Sequence, residues 1–169
     1  ATLPAGEKVV GGSAAFDRAG DNVLNITQKS DRLLIDWSKG FNIGEKATTN
    51  FIQPNSSAIV INRVTAKTDD PTLIQGRLNA NGHVVILDRN GVMFSKSAVV
   101  DVGGLVVSTG KIKKKDFMNG KGQVTLTNFA DGEVINAGSI TVAEAGLAAF
   151  VAPRVRNDGL IVAHKGTVL

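Results

Sequence analysis

The chain has 169 residues, 43% hydrophobic and 20% charged, which excludes a disordered polypeptide and suits one domain burying roughly 70% of its unfolded surface. No apolar run approaches the ~20 residues that cross a bilayer as a helix, so stable membrane insertion is not expected. Much of the +4 net charge comes from Lys111, Lys113, Lys114 and Lys115, a run with no interleaved aromatic that reads as a solvated loop, so nucleic acid is not an expected partner.

Nineteen glycines, seven Phe, one Trp and no Tyr point to β structure with many turns and a core of Val, Ile, Leu and Ala. At the start, Ala1-Thr2-Leu3-Pro4 fits the residues left after cleavage of an export signal. Short apolar alternations then recur at Val9-Val10, Val23 to Ile26, Leu33 to Trp37 and Phe41 to Ile43. Breaks such as Asp17 to Gly20 and Gln28 to Asp31 separate them, and period 2 is visible in Leu33, Ile35 and Trp37. Ala58 to Ile61 comes next, then the stretch from Gly76 to Phe94 around which the chain is organised. Two Asn-Gly pairs, Asn81-Gly82 and Asn90-Gly91, flank Val84-Val85-Ile86-Leu87 there. Asn and Gly accept positive φ, so both pairs read as sharp corners around a buried strand. Val99 to Val102 and Leu105 to Val107 continue the pattern, with Gly103-Gly104 as a tight corner between them. Strands this short and even suggest a sandwich, a barrel or a solenoid.

The C-terminal third decides among these. Val134-Ile135-Asn136-Ala137-Gly138-Ser139-Ile140 is echoed by Val155-Arg156-Asn157-Asp158-Gly159-Leu160-Ile161, at a constant offset of 21 (157 less 136). A recurring Asn-x-Gly corner at that spacing fits one coil of a parallel β-helix. An antiparallel meander also uses Asn-Gly corners but does not require that constant offset. Leu169 falls inside a coil, so the chain is expected to be the N-terminal fragment of a longer solenoid. The whole chain is expected to be one domain, with the less repetitive strands up to about residue 37 as an N-terminal cap and coils thereafter.

Catalytic and metal sites are not expected. There is no Cys, His83 and His164 lie far apart in β contexts, and no Gly-x-Ser-x-Gly elbow occurs. A glycan-cleaving enzyme needs carboxylate pairs at set separations, whereas Asp69-Asp70 beside Pro71 reads as a turn. Gly103-Gly104 lacks the spaced glycines and following helix of a phosphate loop, so no cofactor is expected.

The segment Phe51-Ile52-Gln53-Pro54-Asn55-Ser56-Ser57-Ala58, then Ile61-Asn62-Arg63-Val64, then Gly76-Arg77-Leu78 and Ala80-Asn81-Gly82, closely resembles the two-partner secretion (TPS) domain of filamentous-haemagglutinin-like exoproteins. Asp88-Arg89-Asn90-Gly91-Val92 falls in that family's Asn-Pro-Asn-Gly-Ile/Val slot, and Val102 to Thr109 and the Asn136/Gly138 and Asn157/Gly159 repeats match as well. The resemblance implies a right-handed parallel β-helix with an N-terminal β cap and small extra-helical β elements. It implies export through the periplasm of a Gram-negative bacterium to the cell surface or medium. It implies recognition in the periplasm by the POTRA domains of a two-partner (TpsB) outer-membrane transporter, with folding of the domain outside helping to draw the passenger through. The passenger in such proteins is an adhesin, haemolysin or contact-dependent toxin, which supplies any contact with a host or bacterial surface ligand.

The resemblance makes Gln53, Pro54, Asn55, Ser56, Asp88, Arg89, Asn90 and Gly91 the candidate transporter-recognition residues, with Asn62, Arg63, Gly76, Arg77, Asn81 and Gly82 structural. Asp88-Arg89 departs from the family's Asn-Pro, so nothing fixes φ there and the corner must be held by other means. The other reading is an adhesin that binds glycan or matrix directly through residues 111–115.

Overall fold

The computed structural model describes residues 2–120, 124–143 and 145–169. Two strands come first, β1 (Glu7–Gly11) and β2 (Ala14–Arg18). The first coil supplies β3 (Val23–Gln28) and β4 (Arg32–Trp37), the second β5 (Thr48–Ile52), β6 (Ile59–Val64) and β7 (Thr72–Ile74). The third supplies β8 (Arg77–Ala80), β9 (His83–Leu87) and β10 (Gly91–Phe94), the fourth β11 (Val99–Val102), β12 (Gly104–Ser108) and β13 (Glu133–Asn136). The fifth is β14 (Ser139–Val142), β15 (Leu147–Val151) and β16 (Arg154–Asn157), and the sixth is β17 (Leu160–Ala163) and β18 (Thr167–Val168).

These strands form three sheets in the orders β1-β4-β6-β9-β12-β15-β18, β16-β13-β10-β7 and β17-β14-β11-β8-β5-β3-β2. Every pairing between coils is parallel, while β1 on β4 and β2 on β3 are antiparallel. The chain is a parallel β-helix whose first end is covered by an antiparallel pair. β3 and β4 already pair in parallel with the second coil, so the antiparallel cap ends at Arg18.

Equivalent residues stack because the registers hold from coil to coil. Leu33, Val60, Val84, Leu105 and Ala148 form one inward column, and Thr72, Val92 and Val134 another. Asn136 and Asn157 pair directly, as their offset requires, and Asn136 Nδ2 donates to Asn157 Oδ1 at 3.0 Å. A side chain on Gly138 would place its Cβ 2.5 Å from the Ser95 carbonyl oxygen, so the close approach of the coils selects glycine at that corner.

The run Val84-Val85-Ile86-Leu87 does not alternate because both faces of β9 are covered. Val84 and Ile86 face the solenoid core; Val85 and Leu87 join Leu34, Ile61, Ile112 and Phe117 in a second cluster outside it. Ile112 and Phe117 belong to an excursion between β12 and β13 that folds back over the sheet. The lysine run lies in this excursion and is not a plain loop: Lys111 bridges Thr127 in antiparallel fashion, and Lys114–Met118 forms a short helix, α1. Phe117 anchors it, with the Arg32 guanidinium 5.2 Å from its ring centroid and Arg32 Nη1 donating to its carbonyl at 3.1 Å.

One expectation about the corners changes. Positive φ occurs at Gly91 (+95°), but the corner at Asn81-Gly82 turns without it. Side chains hold that corner instead, chiefly those of Gln53 and Asn81.

Candidate functional site

The two motif slots occupy opposite ends of the face formed by β6 and β9. The first, residues 53–56, leads into β6, and the second, residues 88–91, leaves β9. Five strand residues at ~3.3 Å each put them about 16 Å apart, so they form two patches and not one constellation.

In the first slot the residues divide between inside and outside. Gln53 is 6% exposed and its amide is fully engaged. Its Oε1 accepts from Gly82 N at 2.7 Å, and its Nε2 donates to Gln28 Oε1 at 3.1 Å and to the carbonyls of His83 and Ala58 at 3.3 and 3.4 Å. Asn81 completes the corner: its Oδ1 accepts from Gln53 N at 2.7 Å and its Nδ2 donates to Gln53 O at 2.9 Å. Pro54, Asn55, Ser56 and Ser57 are exposed. Asn55 Oδ1 accepts from Ser57 N at 3.0 Å, closing an Asx turn, and its Nδ2 donates to Asp31 Oδ1 at 3.1 Å. The slot is thus an inner clamp followed by an outward, pre-shaped turn.

The second slot shows how its corner is held without proline. Gly91 N donates to the Asp88 carbonyl at 2.9 Å, closing a four-residue turn, and Asn90 N donates to Asp88 Oδ1 at 2.9 Å. Asp88 therefore makes the side-chain turn that Asn55, Asn136 and Asn157 make elsewhere. Its other oxygen, Oδ2, accepts from Thr72 Oγ1 at 2.7 Å. Asn90 Nδ2 donates to the carbonyls of Thr68 and Asp70 at 2.6 and 3.3 Å, pinning the loop around Asp69-Asp70 to the corner. Arg89 is exposed.

Burial raises the pKa of Asp88 above its ordinary value of 3.8, against the opposing pull of the Thr72 and Asn90 hydrogen bonds and the Arg89 charge. The folded chain holds this proton to higher pH than the unfolded chain. Its contribution to stability is therefore full below pH 3.8 and is lost as pH rises through the raised folded value. Asp88→Asn keeps the acceptor for Asn90 N and removes the titration, so the pH dependence in that window is expected to disappear with no loss of stability at neutral pH. Asp88→Ala leaves Thr72 and Asn90 N without partners and is expected to cost about 2 kcal/mol, both measured by urea unfolding between pH 3 and 7.

Of the residues expected to be structural, all but Arg77 have side chains or close backbone packing engaged with the fold. Asn62 is fully buried, accepting from Trp37 Nε1 at 3.0 Å and donating to the Val85 carbonyl at 3.2 Å. Arg63 makes a two-point ion pair with Asp36, Nε to Oδ1 at 2.6 Å and Nη2 to Oδ2 at 3.0 Å. Gly76 packs against the carbonyls of Gly44 and Ala47, and Arg77 is exposed at the start of β8. Sequence reasoning missed a ladder on the outer face, where Asn79 Nδ2 donates to Asn50 Oδ1 and Asn50 Nδ2 to Asn25 Oδ1, each at 2.9 Å. The signal was present: each Asn stands mid-strand, in register with the others.

Among the described residues no group of three or more His, Asp or Glu is placed to hold a metal, and no helix is long and apolar enough to cross a membrane.

The TPS secretion domain family profile matches residues 2–169. A heme/hemopexin-binding protein of Haemophilus influenzae is 34% identical over 139 residues, 82% of this chain and 15% of that protein. A second protein of that name and species is 36% identical over 112 residues, 66% of this chain and 12% of its own length. This chain thus spans well under a fifth of the curated relatives it matches. The crystal structure of the HMW1 secretion domain from Haemophilus influenzae superposes with a TM-score of 0.83 at 31% identity, over 93% of this chain and 41% of that one. These are not enzyme families, and proteins carrying the domain are secreted Gram-negative exoproteins. The chain belongs to the TPS secretion domain family.

Proposed function

We propose that this domain is the secretion-recognition and folding-nucleating module of a larger exported exoprotein, read in the periplasm by the POTRA domains of a TpsB-type outer-membrane transporter. The observation that carries the folding half is the register that holds from coil to coil: Leu33, Val60, Val84, Leu105 and Ala148 stack in one buried column, so each folded coil is a template for the next. In this reading the chain is the N-terminal part of a longer solenoid, and an adhesin, haemolysin or toxin passenger lies beyond it.

The recognition half rests on family membership and on the outward turn at residues 54–57, which presents polar groups without contributing to the core. The open edge of β2 offers a second mode, strand addition by the partner. The turn is tested by the triple variant Pro54→Ala, Asn55→Ala, Ser56→Ala. Truncating a recognition hot spot weakens binding roughly 30-fold, so the variant is expected to lose most of its export while its melting temperature falls by only a few degrees. Wild-type export of the folded variant refutes a recognition role for this turn.

A further inference from the structure

We infer that a cleft beside the second motif slot is a binding site for a carboxylate carried on a short apolar body. The cleft, of about 290 Å³, lies where the ends of β6 and β9 meet the start of the excursion after β12, and its walls include Val64, Leu87 and Ile112. That volume accommodates a side-chain-sized group, and its mainly apolar walls favour an apolar body over a bare inorganic anion.

Three cations surround it, Arg63, Arg89 and Lys111, and no acidic residue lines it among the described residues. Arg63 is largely neutralised by its two-point pair with Asp36. Arg89 and Lys111 are exposed and their side chains form no ion pair among the described residues. A guanidinium fork and an ammonium facing one opening match a single carboxylate, the fork through two parallel N–H···O bonds. Thr109 and Gly110 form part of the same wall, with Thr109 only 1% exposed.

The same chemistry comes from a free carboxylic acid or from the C-terminal residue of a peptide. The test is a heteronuclear NMR titration of the chain at low salt, in a buffer free of carboxylates. The probes are 4-methylpentanoate, its neutral amide, and the peptide acetyl-Gly-Gly-Leu with a free or an amidated C-terminus. Saturable shifts at the amides of Arg89, Thr109, Gly110 and Ile112 are expected with the carboxylates and not with the amides. Arg89→Gln and Lys111→Gln are each expected to weaken binding about tenfold, with the rest of the spectrum unchanged. Response to the free acid alone or to the peptide as well assigns the source. No saturable shift with either carboxylate, equal response to the amides, or full binding by the double variant overturns the site.

Discussion

Replacing Gln53 with alanine is expected to lower the unfolding free energy by about 3 kcal/mol and the melting temperature by roughly 10 °C. The side chain reaches three strands' ends at once: it accepts from Gly82 N and donates to Gln28 Oε1 and to the carbonyls of His83 and Ala58. Truncation orphans a buried backbone N–H and strips a partner from a buried amide, and each orphan costs about 1–3 kcal/mol. Gln53→Glu sharpens the test. The carboxylate still accepts from Gly82 N, but its second oxygen then faces three acceptors. It is expected to be less stable than the alanine variant at neutral pH and to recover in acid as it protonates. Equal stability of all three proteins in urea would mean that the amide network is not holding the corner.

The same network changes how a secretion motif is read by mutation. A Gln53 variant that fails to appear outside the cell has failed in folding first, so its phenotype says little about recognition. Asp88 and Asn90 carry the same ambiguity, since one closes its turn and the other pins the 68–70 loop. Pro54, Ser56 and Arg89 are exposed and separate recognition from stability most cleanly, whereas Asn55, though exposed, also closes its own turn on Ser57 N.

Legibility in the sequence tracked the range of the interactions. The β-helix was readable because stacking imposes a period: the 21-residue echo of Asn136 and Gly138 in Asn157 and Gly159 is a direct image of the register between β13 and β16. The Asp88 corner was readable as a turn, but its means of support was not, because Thr72 lies 16 residues away and nothing local marks it as the partner. The same holds for Gln53, whose partners Gln28 and Gly82 are 25 and 29 residues distant. The lysine run misled for a different reason. Its charge says solvent, yet Phe117 and Ile112 beside it bury themselves on the outer face of the sheet and fold the segment into a helix and a bridge. Continuous apolar runs such as residues 84–87 were the available sign that the outer face has a cover.

The larger of the two expected effects is on export itself. In the proposed mechanism, release outside the cell depends on a partner that reads the domain. The deciding measurement places the chain behind a signal peptide in a Gram-negative host and quantifies it in periplasm and medium, with and without the outer-membrane transporter that accompanies it. The account expects periplasmic retention without the transporter and accumulation in the medium with it, a change of at least about tenfold, as a recognition energy of only ~1.4 kcal/mol already gives. Equal amounts in the medium in both strains, or retention of folded chain in both, would contradict it.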